Sequence, residues 1–213
     1  MLHRRIVLTR TAAATVLTGT FMTPRIRPFL IRPAFADTAV DRAVAFVRAT
    51  GDKLISIING NLSPADKRQT LARIIDNTVD VNGVAQFCLG RFWRTASSKE
   101  QQDYTQLFHA VLVNNIAGKL GEYRGVTFTV GRAEPRDDTQ MVDTTVVRPN
   151  SAPSDVQWMI SEAIGSPKII DVTAEGASLR LTQRSDYGSY LVRNNNSVQA
   201  LIEAIRQQIA KNG

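Results

Sequence analysis

The spacing of apolar residues changes twice along the chain, and this switch restricts the fold more than any other feature of the sequence. From residue 38 to about residue 121 apolar side chains recur every three or four positions, as one face of a helix requires. Beyond that the period drops to two. Val126, Phe128 and Val130 alternate with Thr127 and Thr129; Val142, Thr144 and Val146 alternate with Met141, Asp143, Thr145 and Val147; Val156, Trp158 and Ile160 alternate with Gln157, Met159 and Ser161. Lys168 to Val172 and Ser178 to Leu181 continue the pattern, with turn signals at Arg136-Asp137-Asp138, Pro149-Asn150-Ser151 and Gly165-Ser166-Pro167. Helical spacing then returns near Gln183 to Val192 and Ser197 to Ala210. Helices, an antiparallel meander of about four strands and further helices predict an α+β single domain with helices on one face of a curved sheet.

The helical segments announce their own ends. Residues 38 to 60 carry a stripe of Val40, Val44, Val47, Leu54, Ile55 and Ile58, weakened in its middle by Gly51, which costs about 1 kcal/mol relative to Ala. Ser63 suits an N-cap, Pro64 the first helical position, and Asp66 the positive end of the dipole. A short helix from about Asn82 to Leu89 stops at Gly90. Ser97 with Glu100 three residues later is a capping box, and Tyr104, Leu107, Phe108, Val111 and Leu112 make the apolar face of the helix that follows, to about Gly121.

Charge divides the 213 residues unevenly. Lys and Arg number 26 against 19 Asp and Glu, a net +7 that invites a polyanion-binding reading. Six of the arginines, Arg4, Arg5, Arg10, Arg25, Arg27 and Arg32, fall in the first 36 residues, which contain no acid, and without them the remainder is near +1. The apolar stretch Thr11 to Met22 is too short for a bilayer span of roughly 20 residues, and Ala34-Phe35-Ala36 fits signal-peptide cleavage. We read residues 1–36 as a signal peptide, with paired arginines that favour the twin-arginine type over Sec, and residues 37–213 as the working domain. The alternative for the segment is a basic tail that binds acidic partners. Without it, nucleic-acid binding loses its main support.

Catalytic residue types are scarce. The domain holds one histidine, His109, and one cysteine, Cys88, which sits in the apolar run Ala85 to Leu89 where a buried inert thiol is the ordinary outcome. A metal would need paired ligands at His-x-x-x-His or Cys-x-x-Cys spacing or an acidic loop, and none occurs. Glu134, Asp137 and Asp138 stand beside Arg132 and Arg136 in a hairpin turn. The strands, by contrast, carry large apolar residues on both faces, more than a sheet covered on one side needs. Such a sheet is either covered twice or curls around an apolar ligand.

The run Gly90-Arg91-Phe92-Trp93-Arg94-Thr95-Ala96-Ser97, followed by Gln101, Tyr104, Phe108, Leu112, Leu120 and Tyr123, resembles the MlaC family, the periplasmic lipid carriers of the Mla (toluene-tolerance) ABC transport systems. Ile170 to Leu179 is similar to that family's paired strands and Arg184-Ser185-Asp186-Tyr187 to the opening of its last helices. The run Thr182 to Tyr187 is also similar to the hopanoid-associated HpnM branch. Ile116 departs from the pattern where an aromatic is frequent, and Thr173-Ala174 replace a larger pair.

The resemblance implies a non-catalytic periplasmic protein, monomeric and without a cofactor. It would shuttle a phospholipid or hopanoid between an inner-membrane ABC transporter complex and an outer-membrane lipoprotein partner, acyl chains buried in an apolar cavity between sheet and helices. We expect Leu107, Val111, Val126, Phe128, Val130, Val142, Val146, Trp158, Ile160 and Tyr187 to line or approach that cavity, and Arg91 and Arg94 to contact partners. Two other classes stay open: a small hydrolase or isomerase, whose sign would be Asp143 or Asp171 facing inward as a general base, and a structural interaction module with a filled core.

Overall fold

The computed structural model describes residues 34–212. The expected signal segment lies outside the described residues up to position 33, and its last three residues begin the first helix. That helix, α1 (Ala34–Asn59), runs through Gly51 without a break, so packing outweighs the local propensity penalty. Ser63 caps α2 (Pro64–Thr78) by accepting the Asp66 amide, and Lys168 closes its other end by donating to the carbonyls of Asp76 and Asn77. Asp80 caps α3 (Val81–Leu89), which stops at Gly90, held at φ +60°. The capping box forms as expected: Ser97 and Glu100 bond reciprocally at the start of α4 (Ser98–Lys119).

Five strands follow, β1 (Thr127–Arg136), β2 (Thr139–Val147), β3 (Ser154–Ser161), β4 (Lys168–Ala174) and the two-residue β5 (Ala177–Ser178). They pair antiparallel in sequence order, β1-β2-β3-β4-β5, the meander that the alternation predicts. Two details differ from the sequence reading. β1 continues past Val130 to Arg136 through a bulge at Gly131 and Arg132, where one extra residue breaks the alternation. Ser178 to Leu181 is not a strand; β5 ends at Ser178, whose hydroxyl accepts the Leu181 amide and starts α5 (Leu179–Arg193). The last helix is α6 (Val198–Asn212).

Alternation sorts each strand onto two faces. Register sets Phe128 beside Val146, Val130 beside Thr144, Val142 beside Trp158, and Trp158 beside Val172, so one face is almost wholly apolar. We call this the inner face, and α1 lies across its β1 and β2 side. Helices α2, α3 and α5 meet the sheet at β4 instead. A main-chain bond from Asp80 to Ile169 ties the α2–α3 junction to β4. The helices thus sit in two places, one across the inner face and a group at the β4 end.

Candidate functional site

Phe128, Val130, Val142, Trp158 and Ile160 share one apolar cluster with Ala43, Val44, Phe46 and Val47 of α1 and with Ile169 and Val172 of β4. Val146 is half-buried on the same face by register, and Val126 is buried just ahead of β1. Small residues bring α1 close. A Cβ on Gly51 would stand 2.4 Å from the Phe128 ring, so the ring rests directly on the helix backbone. Thr144 is the buried polar residue of this face, and it is satisfied, taking a bond from Trp158 Nε1 (2.9 Å) and donating to the Val156 carbonyl (3.0 Å). By register the inner-face positions of β2 and β3 are Gln140, Val142, Thr144, Val146, Ser154, Val156, Trp158 and Ile160, none of them a carboxylate.

Leu107, Val111 and Tyr187 stand elsewhere. They pack in a separate cluster built by α3, α4, α5 and α6, around Tyr104, whose hydroxyl donates to the Ala85 carbonyl at 3.0 Å. Tyr104 and Tyr187 meet edge to face at 6.0 Å. Eight of the ten residues expected around one cavity are therefore divided between two apolar clusters, one under α1 and one among the later helices, while Val126 and Val146 flank the first. Sequence periodicity identifies which residues are apolar on each element but not which element faces which. The part of α1 in this arrangement was missed, although its small residues at Ala43 and Gly51 are the one signal of a close helix–sheet approach.

The outer face is mixed, with Met141 buried beside Met159 and polar residues around them. Asp143 accepts from Gln157 at 2.7 Å and Asp155 from Thr145 at 3.3 Å, beside a groove of about 510 Å³ that also reaches Arg132 and Thr173. A second groove of about 680 Å³ runs along α5 between Leu181 and Val192, with Arg184 and Arg193 on it. Arg91 and Arg94 are exposed, and Arg91 lies 4.8 Å from the Phe92 ring.

Asp171, the other carboxylate considered as a general base, is buried but fully engaged. It accepts from the amides of Val172 (2.8 Å) and Arg180 (3.2 Å) and from Ser178 Oγ (2.6 Å), and its second oxygen lies 3.4 Å from Arg180 Nε. Arg180 in turn covers the Phe87 ring at 4.4 Å. This is a structural knot between β4 and α5. Cys88 is buried beside it, and burial, with the Asp171 charge adding to it, pushes the thiol up to about 12, which leaves it protonated at neutral pH. His109 Nε2 lies 2.9 Å from Asp76, bridging α4 and α2. Among the described residues no three His, Cys, Asp or Glu side chains gather where a metal could bind, and no helix is long and apolar enough to cross a membrane.

The sequence that builds this apolar sheet face, the helix across it and the Gly90-to-Ser97 turn matches the model of the MlaC protein family over residues 48–207. The chain belongs to the MlaC family. Among curated MlaC-like relatives, the toluene tolerance protein ttg2D of Pseudomonas putida is 24% identical over 143 residues, a span of 66% of this chain and 66% of that protein. Among solved structures, a phospholipid-binding protein from Ralstonia solanacearum, crystallised in complex with a phospholipid, superposes with a TM-score of 0.69. It is 22% identical, and the match covers 79% of this chain and 97% of that one. This MlaC-family chain therefore shares its fold with a protein that holds a lipid.

Proposed function

We propose that this protein is a non-catalytic periplasmic carrier that binds the apolar part of a lipid at the inner face of its sheet. The observation that carries this reading is the apolar continuity of that face: Phe128, Val130, Val142, Trp158, Ile160 and Val172 lie on four adjacent strands, with Thr144 bonded on both sides among them and Gln140, its Oε1 buried without a partner, at the end beside Ile160. An acyl chain is recognised by burial alone, at about 0.8 kcal/mol per methylene, so ten buried methylenes supply about 8 kcal/mol. A surface of this chemistry suits the apolar part of a lipid. The phospholipid held by the Ralstonia protein and the toluene-tolerance role named for the Pseudomonas relative support the same reading. In it, the cargo is a phospholipid or a hopanoid, and the protein moves between an inner-membrane ABC transporter complex and an outer-membrane lipoprotein partner. Arg91 and Arg94 are exposed cations available to those partners, Val126 and Val146 border the site, and Leu107, Val111 and Tyr187 support it from the cluster of the later helices.

The hydrolase or isomerase alternative loses its proposed bases, since Asp143 bonds Gln157 on the outer face and Asp171 is spent on Ser178 and Arg180. Native mass spectrometry of protein exported in its own host tests the carrier reading. We expect a protein–lipid mass that resolves into phospholipid or hopanoid on extraction. A preparation with only the apo mass and no extractable lipid overturns it.

A further inference from the structure

The inner face of the sheet is already occupied by α1. Ala43 and Val47 pack on Val142 and Ile160, and the Phe128 ring lies on the Gly51 backbone with no room for even one methyl group between them. Acyl carbons and α1 cannot hold the same contacts at once. We propose that α1 is the movable cover of the lipid site, that its apolar stripe stands in for the ligand when the site is empty, and that lipid enters by displacing it from β1 and β2. This rests on the carrier reading above and adds the moving part and its latch.

Three observations single out α1. First, the other helices that touch the sheet do so chiefly at β4, so α1 can leave the inner face while the helix group at the β4 end keeps its own core around Tyr104, Leu191 and Ile202. Second, the contacts that tie it to the strand side are of a reversible surface kind, while its buried hold is on α2 and α4, where Leu54 packs with Leu71, Ile75 and Val113. Near the start, Arg42 pairs with Glu162 just past β3, Nη2 to Oε2 at 2.6 Å and Nε to Oε1 at 2.9 Å, with both side chains solvent-accessible. Near the end, Asn59 Oδ1 accepts the Gly125 amide at 2.9 Å. Third, the link to α2 is short, residues 60–63, with Leu62 turned to solvent, and provides a place to hinge. Within the stripe, Ala43 and Gly51 bring little side chain of their own to the sheet, so a chain of methylenes offers Phe128, Val142 and Ile160 more apolar contact than the helix does.

Locking the cover tests this. The Phe128 side chain reaches the Gly51 backbone directly, so positions 51 and 128 are the pair at which a cysteine bridge from α1 to β1 is introduced. The variant is Gly51→Cys/Phe128→Cys in a Cys88→Ala background, with bridge formation read from loss of free thiol. Uptake from vesicles of phosphatidylethanolamine and phosphatidylglycerol is followed by native mass spectrometry. We expect the oxidised protein to take up at least about tenfold less lipid than the same protein reduced with dithiothreitol. Equal loading of the oxidised and reduced forms overturns the proposal. Loading by neither the reduced variant nor the parent protein removes the carrier reading, and this one with it. The latch is tested separately without touching the inner face: Arg42→Glu sets two acids against each other and is expected to speed uptake several-fold, and the exchange Arg42→Glu/Glu162→Arg to restore the parent rate. A single variant that loads at the parent rate shows that the ion pair is no latch.

Discussion

Asp171 holds more of this fold together than any other charged residue described. It is buried, and its oxygens serve two amides, a hydroxyl and a guanidinium drawn from β4, β5 and α5. Removing one member of a buried ion pair leaves the other desolvated and unpaired, which costs about 3 kcal/mol or more. We therefore expect Asp171→Ala to lower stability by about 3 kcal/mol in urea titration. Asp171→Asn should cost less, because a carboxamide oxygen still accepts the two amides and Ser178 can turn to accept instead of donate. Lipid uptake by the Asn variant at a temperature where it is folded should stay at the parent level; a selective loss of uptake would place Asp171 in the site and not beneath it. None of this was legible beforehand. Asp171 alternates with Ile170 and Val172 like any solvent-facing strand residue, and only the arrival of Arg180, folded back from the next helix, shows that it is buried.

At the level of the elements, the sequence is most readable where one bond decides the outcome. Ser63 with Pro64, and Ser97 with Glu100, mark helix starts because each cap satisfies an amide three residues away, a relation contained within one turn. Ser97→Ala should therefore destabilise the protein by about 1 kcal/mol, read as a lowered urea midpoint with an unchanged slope. A change of slope would mean that the start of α4 does more than end a helix. Strand boundaries were readable for the same local reason, through the turns at Asp137-Asp138 and Gly165-Ser166-Pro167. Reading failed where a local pattern fits two structures. Ser178 to Leu181 alternates as a strand does, but Ser178 is a helix cap fixed from outside by Asp171. The second half of β1 was missed because the bulge at Gly131 and Arg132 interrupts the period. The pairing of α1 with the sheet links residues about 80 positions apart, and no periodicity within either element encodes it.

For the whole molecule, acid is the informative perturbation. Hydrogen bonding from Arg42 holds the Glu162 carboxyl below its ordinary value of 4.5, and bonds from Ser97 do the same for Glu100. A carboxyl whose folded value is depressed stabilises the fold fully above its unfolded value, and that contribution fades as pH falls through the depressed one. The thermal midpoint should thus be level from neutral pH to about pH 5 and decline below about pH 4.5, followed by circular dichroism. A midpoint that rises on acidification would show that these carboxylates are not favourably placed.

The edges of the sheet matter at this scale too. β1 is one free edge, and it combines the bulge at Gly131 and Arg132 with Pro135 and the charges of Arg132, Glu134 and Arg136. β5, at the other edge, is two residues long. Neither can template a further strand, since a bulge, a missing amide and outward charge each break the ladder that a neighbour would need. A sheet with one greasy face is otherwise a ready seed for aggregation. Edges blunted in this way let the protein tolerate moments when that face is bare, because a second sheet finds no ladder to extend.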